Sequence, residues 1–122
     1  MSDKMILIAE DSDSHFYLME AHIQKYYPDC VIHRAKTVAE AVELFSGYGA
    51  ALHAIIVDAC LNCMREVDTD VFIETVKRSG FAGPIVTASS HEPFNERLLA
   101  AGATHRSLKW DAAQLAVKLL NL

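Results

Sequence analysis

Short apolar runs alternate along this chain with longer stretches in which apolar residues recur every three or four positions. The short runs are typical of buried strands, and the longer stretches are typical of helices that cover a sheet. Three of the runs are apolar almost throughout, as in central strands of a parallel sheet that is buried on both faces. The five runs that we interpret as strands are Met5–Ala9, Cys30–His33, Ala54–Val57, Pro84–Thr87 and Thr104–Leu108.

The stretches between the strands carry signals for helix ends. Ser14 is a candidate N-cap for the first helix, and Thr37-x-x-Glu40 has the spacing of a capping box. A third helix should begin at or beside Asp70, a fourth should run over residues 93–101 and end at Gly102, and Asp111-x-x-Gln114 should open the last. The pattern predicts an α/β fold of the (βα)₅ type: a doubly wound, flavodoxin-like, five-stranded parallel sheet with strand order 2-1-3-4-5.

Composition narrows the possible classes of protein. A chain of 122 residues, 52% hydrophobic and 22% charged, can bury one core, so we expect one domain over residues 1–122. The net charge of −5 and the scattered basic residues argue against direct nucleic-acid binding. The sequence lacks a secretory signal and any apolar run near the roughly 18 residues of a membrane helix, which predicts a cytoplasmic protein without membrane contact. Three cysteines then favour reduced thiols over disulfides.

Polar side chains stand where four of the predicted strands end. Glu10 and Asp11 follow the first strand, Asp58 follows the third, Thr87 ends the fourth, and the fifth leads into Lys109. In an open doubly wound sheet, ligands bind at the carboxyl ends of the strands where the strand order reverses, here between strands one and three. We therefore expect these side chains to converge in one crevice.

Three neighbouring carboxylates repel one another unless a cation neutralises them. Mg²⁺ is suited to this role because it takes oxygen ligands from one or two carboxylates, with water and phosphate completing its shell. Asp58 could then be both a metal ligand and a nucleophile, while Lys109 and the Thr87 hydroxyl stabilise phosphoryl oxygens. The residues by themselves indicate a Mg²⁺-dependent phosphoryl acceptor.

The same residues, in this order on successive βα units, resemble a known family. The positions are Glu10-Asp11, Asp58, Thr87-Ala88 and Lys109. Over essentially its whole length the chain is similar to the receiver domain of two-component response regulators, the CheY-like family. The resemblance implies that Asp58 is phosphorylated by the phosphohistidine of a histidine kinase or phosphotransfer protein. It also implies a signalling domain, not an enzyme with a separate substrate, whose phosphorylation changes its binding to a downstream protein.

The resemblance further implies roles for the other site residues. Mg²⁺ is bound by Asp11, Asp58 and the backbone carbonyl of Cys60, and Glu10 contacts the metal through water. Lys109 pairs with the acidic group or the phosphate. The hydroxyl of the threonine that ends the fourth strand donates a hydrogen bond to the phosphoryl group.

Three features depart from the family pattern. Trp110 stands where receivers usually have a proline, and a non-proline cis bond costs about 2.5–4 kcal/mol, so we expect Lys109–Trp110 to be trans. Arg106 occupies the switch position, at which most receivers carry an aromatic residue. The segment 60–69 is about three residues longer than usual and lacks proline and glycine. These departures leave open a degenerate receiver that acts as a phosphorylation-independent interaction module.

Other chemistries have weaker support. Asp11-x-Asp13 with Thr87 and Lys109 also resembles a haloacid-dehalogenase-type phosphatase, but a later acidic pair and a cap domain are absent from the sequence. Cys60-x-x-Cys63 resembles half of a zinc site without a second ligand pair, so we interpret both residues as ordinary thiols. The six histidines lack ligand spacing, although His15 and His91 are candidates to border the site.

Overall fold

A computed structural model describes residues 4–62 and 66–121, within which five strands alternate with five α-helices. The strands are β1 (Met5–Ala9), β2 (Val31–Ala35), β3 (Ala54–Val57), β4 (Ile85–Ala88) and β5 (His105–Ser107). The helices are α1 (Asp13–Tyr26), α2 (Val38–Tyr48), α3 (Asp70–Arg78), α4 (Glu92–Ala101) and α5 (Ala112–Leu120), and a short 3₁₀ helix, Gly49–Ala51, follows α2. All neighbouring strands are parallel, in the order β2-β1-β3-β4-β5. The predicted fold is confirmed.

The sheet is apolar on both faces because helices cover both. Leu7, Ile55 and Val57 pack on one side with residues of α2, α3 and α4. Ile6, Ile8, Ile56 and Val86 pack on the other with residues of α1 and α5. Each fully buried Leu or Ile contributes about 1.5–3 kcal/mol relative to an exposed one, which explains why the central strands contain few polar residues.

Two helix starts differ from the prediction. Helix α1 begins at Asp13 and is capped by Ser12, whose Oγ accepts a hydrogen bond from the His15 N–H at 3.4 Å; Ser14 already lies in the first turn. The prediction of Ser14 as the cap was therefore wrong, because Ser12 is the last extended residue before the helix. At α5, Asp111 occupies the N-cap position but its side chain makes no capping hydrogen bond.

Other predicted ends are confirmed. Thr37 caps α2 by accepting the Glu40 N–H at 3.1 Å, whereas the Glu40 carboxylate accepts the N–H of Lys36 at 2.7 Å, one residue before the N-cap that a capping box would use. Gly102 ends α4 with φ of 128°, and a Cβ at this position would collide with the side chain of Lys77. A glycine is thus required both by the backbone and by the packing.

Helix length also bears on membrane contact. Of the helices in residues 4–62 and 66–121, none has the length and apolar character needed to cross a bilayer.

Candidate functional site

The site lies at the carboxyl edge of the sheet, where β1, β3 and β4 end side by side. Strand pairing places Ala9 opposite Val57 and Val57 opposite Thr87. The residues just beyond the strands are fixed by backbone hydrogen bonds: Asp58 N–H donates to Ala9 O at 2.9 Å, and Glu10 N–H donates to Ala35 O at 3.0 Å. The acidic residues are therefore held by continuations of the sheet ladder.

Three predicted acidic residues come together there. Glu10, Asp11 and Asp58 each offer a carboxylate oxygen, and these oxygens lie within 4.8 Å of one another. Glu10 is fully buried, Asp58 is 6% exposed, and Asp11 lies at the surface. The convergence predicted from the strand ends is present. The exposure of Asp58 is intermediate between that of buried Glu10 and that of exposed Asp11.

Lys109 brings positive charge to this cluster. Its Nζ donates to Asp58 Oδ2 at 2.9 Å and lies 3.5 Å from Glu10 Oε1. Burial alone lowers the pKa of the ammonium, but the hydrogen bond and charge of Asp58, together with the charge of Glu10, outweigh that effect and raise the pKa above its usual value. Lys109 is therefore held charged beside the proposed acceptor.

The negative charge of Glu10 is only partly compensated by its neighbours. Burial, followed by the charge of Asp58, raises its pKa to about 7, although the Ser12 N–H and Lys109 act in the opposite direction. Its Oε2 accepts the Ser12 N–H at 3.1 Å, whereas its Oε1 is buried and has no hydrogen-bond partner among the described residues. A buried carboxylate oxygen of this kind beside two other carboxylates fits a divalent cation, which would offset both the burial of the charge and the repulsion from Asp58 that raise the pKa.

A cleft of about 370 Å³ opens over Asp58 and Lys109. Its walls come from four segments: the loop after β1 with the start of α1, the loop after β3, the loop after β4 with the start of α4, and the loop after β5. His15 and His91 both line the cleft, in agreement with their predicted place at the border of the site, and Cys60 lines it as well. Cys63 lies outside the described residues, so the Cys60-x-x-Cys63 interpretation stays a prediction.

Thr87 is near the cleft but is not part of its lining. The residue is fully buried at the end of β4, and in the described part of the chain its hydroxyl has no hydrogen-bond partner. Its backbone carbonyl accepts the Ser107 hydroxyl at 2.9 Å, which ties β4 to β5. The predicted hydroxyl group is thus positioned by the strand and is not engaged elsewhere.

Arg106, at the predicted switch position, lies on the surface of β5. Its guanidinium donates to Glu92 Oε1 at 2.8 Å, and the two side chains are 56% and 53% exposed. Glu92 is the first residue of α4, so the ion pair joins β5 to that helix. The Lys109–Trp110 bond is trans, as predicted, and Trp110 is 69% exposed.

Sequence reasoning missed several residues that hold the site together. Arg34 of β2 donates to the backbone carbonyls of Glu10 and Asp11 at 3.1 and 3.3 Å, and it pairs with Asp13 at 2.7 Å. Asn95 of α4 is 1% exposed. The signal for Asn95 in the sequence was its place between Phe94 and Leu98, where a polar residue stands on the apolar side of a predicted helix.

Asn95 joins two segments that border the site. Its amide nitrogen donates to Ser89 O at 3.0 Å, in the loop after β4, and to Ser107 O at 3.2 Å, in β5. Ser89 also lines the cleft. One buried side chain therefore links the wall of the cleft to the edge strand of the sheet.

The chain is similar in fold to solved receiver structures. No protein-family model matches the sequence, and no curated protein matches it. The signal receiver domain of NarL from Mycobacterium tuberculosis is 16% identical with a TM-score of 0.76, over 97% of this chain and 93% of that one. The chemotaxis response regulator CheY4 of Vibrio cholerae is 19% identical with a TM-score of 0.73, over 98% of both chains. NtrX from Brucella abortus is 17% identical with a TM-score of 0.78, over 98% of this chain and 27% of NtrX.

These comparisons identify the fold of the chain. The chain has the fold of response-regulator receiver domains, as the resemblance in its motifs predicted. The carboxylates of Glu10, Asp11 and Asp58 at the carboxyl edge of its sheet are compatible with a divalent-cation site.

The raised pKa of Glu10 predicts how stability depends on pH in the absence of metal. The folded state binds this proton more tightly than the unfolded state does, so its stabilising effect is complete below about pH 4.5 and is lost as the pH rises through about 7. The loss amounts to about 3 kcal/mol for this group. Glu10→Gln should remove that dependence and make the protein more stable than the wild type at about pH 8.

Urea denaturation in EDTA at several pH values measures this effect. Glu43→Gln, at an exposed position of α2, is the matched control and should follow the wild-type pH profile. Parallel pH profiles for the wild type and Glu10→Gln would contradict the prediction.

Proposed function

We propose that this chain is a response-regulator receiver that is phosphorylated on Asp58 and signals by a change in its affinity for a downstream protein. The observation that carries the proposal is the placement of Asp58. Its carboxylate is nearly buried and accepts a hydrogen bond from Lys109. It also lies in one cluster with Glu10 and Asp11, and it lines a cleft. A group that only ended a strand would not require this set of neighbours.

The phosphoryl donor is proposed to be the phosphohistidine of a histidine kinase or phosphotransfer protein. A carboxylate oxygen of Asp58 attacks phosphorus, the P–N bond breaks, and its electron pair returns to the imidazole. Lys109 provides fixed positive charge, and the unengaged Thr87 hydroxyl provides a hydrogen-bond donor for the phosphoryl oxygens. The chain thus assists its own modification and does not act on a separate substrate.

The proposed cofactor is Mg²⁺. Asp11, Asp58 and the backbone carbonyl of Cys60 would hold it, and Glu10 would contact it through water. When bound, it supplies positive charge that offsets the charge of the phosphoryl oxygens. Support comes from the buried Oε1 of Glu10, which lacks a hydrogen-bond partner among the described residues and has an ion-pair contact with Lys109 at 3.5 Å, and from the position of Cys60 in the cleft wall.

The surface beside the cleft is suited to a protein donor. A groove of about 260 Å³ between α1 and α5 shares His15 and Lys109 with the cleft. Leu18 and Trp110, 70% and 69% exposed, stand on this groove. A protein that carries a phosphohistidine could bury these apolar groups while its imidazole reaches Asp58.

A second candidate function is an interaction module that does not use phosphorylation. The observation in its favour is the surface ion pair of Arg106 with Glu92, at a position where receivers usually carry an aromatic switch residue. This alternative predicts partner binding that Asp58→Ala leaves unchanged.

Incubation with acetyl phosphate is the direct test of the proposal. In the presence of Mg²⁺, the intact mass should increase by one phosphoryl group, and EDTA should suppress the gain because the acidic cluster then lacks its cation. Mass spectrometry of the intact protein measures the adduct. An unchanged mass, or an equal adduct in EDTA, would count against the proposed function.

A further inference from the structure

The backbone immediately after Asp58 is held by several hydrogen bonds. The carbonyl of Ala59 accepts the Asp68 N–H at 3.0 Å, the Thr69 N–H at 3.4 Å and the Thr69 hydroxyl at 3.1 Å. The same hydroxyl lies 2.8 Å from the carbonyl of Asp58, so its one hydrogen is shared between two carbonyls. Thr69 is fully buried. The peptide groups that precede Cys60 are therefore fixed from the far end of the loop.

The peptide groups that follow Cys60 are fixed by a carboxylate. Asp68 accepts the Leu61 N–H on Oδ1 at 2.8 Å and the Asn62 N–H on Oδ2 at 2.7 Å. Both distances are in the short range of charge-assisted hydrogen bonds, and both carboxylate oxygens are used. Asp68 thus makes two strong contacts with backbone across the loop.

One of these contacts determines the orientation of a neighbouring carbonyl. The Leu61 N–H and the Cys60 C=O belong to the same peptide group, which is planar and trans. The two bonds of such a group point in opposite directions, so the Cys60 carbonyl must point away from Asp68. Accepting the N–H also polarises the peptide and increases the negative charge on its oxygen. Cys60 lines the cleft over Asp58.

We propose that Asp68 is a positioning residue of the cation site. It anchors the Cys60–Leu61 peptide so that the Cys60 carbonyl is held, and made more basic, as a ligand for the divalent cation, while Thr69 fixes the peptide groups on the other side. The inference rests on the proposed function in that the cleft must bind Mg²⁺. Residues 60–69 contain no proline, so the Leu61 and Asn62 peptide groups are restrained by the hydrogen bonds to Asp68 and not by a fixed φ of the chain.

Isothermal titration calorimetry with MgCl₂ tests the inference on the full chain. Asp68→Ala should weaken Mg²⁺ binding about 10- to 100-fold, the usual effect of removing a group that orients a metal ligand. Asp68→Asn should lie between this variant and the wild type, because its amide keeps one acceptor oxygen for one of the two N–H groups. Glu66→Ala removes the same charge from an exposed position in the same loop and should change the affinity less than about twofold.

Several outcomes separate this inference from the proposed function. If the wild type binds Mg²⁺ and is phosphorylated while Asp68→Ala binds Mg²⁺ as tightly as the wild type, the inference alone is overturned. An equal loss in Glu66→Ala also overturns it, because charge and not anchoring would then be responsible. A wild type that neither binds Mg²⁺ nor accepts a phosphoryl group overturns both. Circular dichroism establishes folding, and the isosteric Asp68→Asn decides the outcome if the alanine variant does not fold.

Discussion

Asp58→Asn is expected to abolish phosphorylation by acetyl phosphate. Asparagine has nearly the same shape and keeps an oxygen that can accept the Lys109 hydrogen bond, now 2.9 Å long. A neutral amide is, however, a very poor nucleophile in comparison with a carboxylate. The variant should therefore keep the fold and lose the phosphoryl adduct, as measured by intact-mass spectrometry.

The control for this result removes a carboxylate elsewhere. Asp29→Asn, at an exposed position between α1 and β2, should be phosphorylated to the wild-type extent. A phosphoryl adduct of undiminished yield in Asp58→Asn would show that another residue is the acceptor.

Lys109→Met is expected to slow phosphorylation about 10²- to 10³-fold at saturating Mg²⁺, the usual cost of removing one fixed electrostatic group from a transition state. Methionine has similar length and fills the same volume without charge. The loss should be large because the Lys109 side chain is only 19% exposed and its ammonium directly contacts Asp58, so little solvent screens its charge. A quenched time course of adduct formation gives the rate.

Lys118→Met is the matched control for Lys109→Met. Lys118 is exposed on α5, and its replacement should leave the rate of phosphorylation unchanged. If Lys109→Met reacts within about threefold of the wild type, Lys109 serves the stability of the acidic cluster and does not assist phosphoryl transfer.

The fold could be predicted well because its main signal is local. Runs such as Ala54–Val57 are completely buried, and their composition directly reflects burial on both faces of a parallel sheet. The predicted convergence of Glu10, Asp58 and Lys109 then followed from topology, since the ends of parallel strands meet at one edge. The choice between Ser12 and Ser14 as a cap depended on where the chain leaves its extended conformation, which residue type alone does not determine.

The residues that were missed act through backbone groups of other segments or across a loop. Arg34 contacts the carbonyl of Glu10 because the register of β2 against β1 places it there. Asp68 receives N–H groups six and seven positions earlier in the chain, across a loop whose path no pattern predicts. Such contacts are invisible to motif and periodicity, since any sequence offers the same backbone donors and acceptors.

The linkage made by Asn95 has a mechanical consequence. The hydrogen bond from its amide nitrogen to Ser89 O is buried and the one to Ser107 O is partly buried, so a lost partner is not freely replaced by water. A displacement of the loop at Ser89 must therefore either break one of these hydrogen bonds or carry β5 with it. Arg106 lies on that strand, one residue before Ser107. Asn95 consequently connects the strand that carries Arg106 to the wall of the cleft. A movement of either one is therefore resisted by the other.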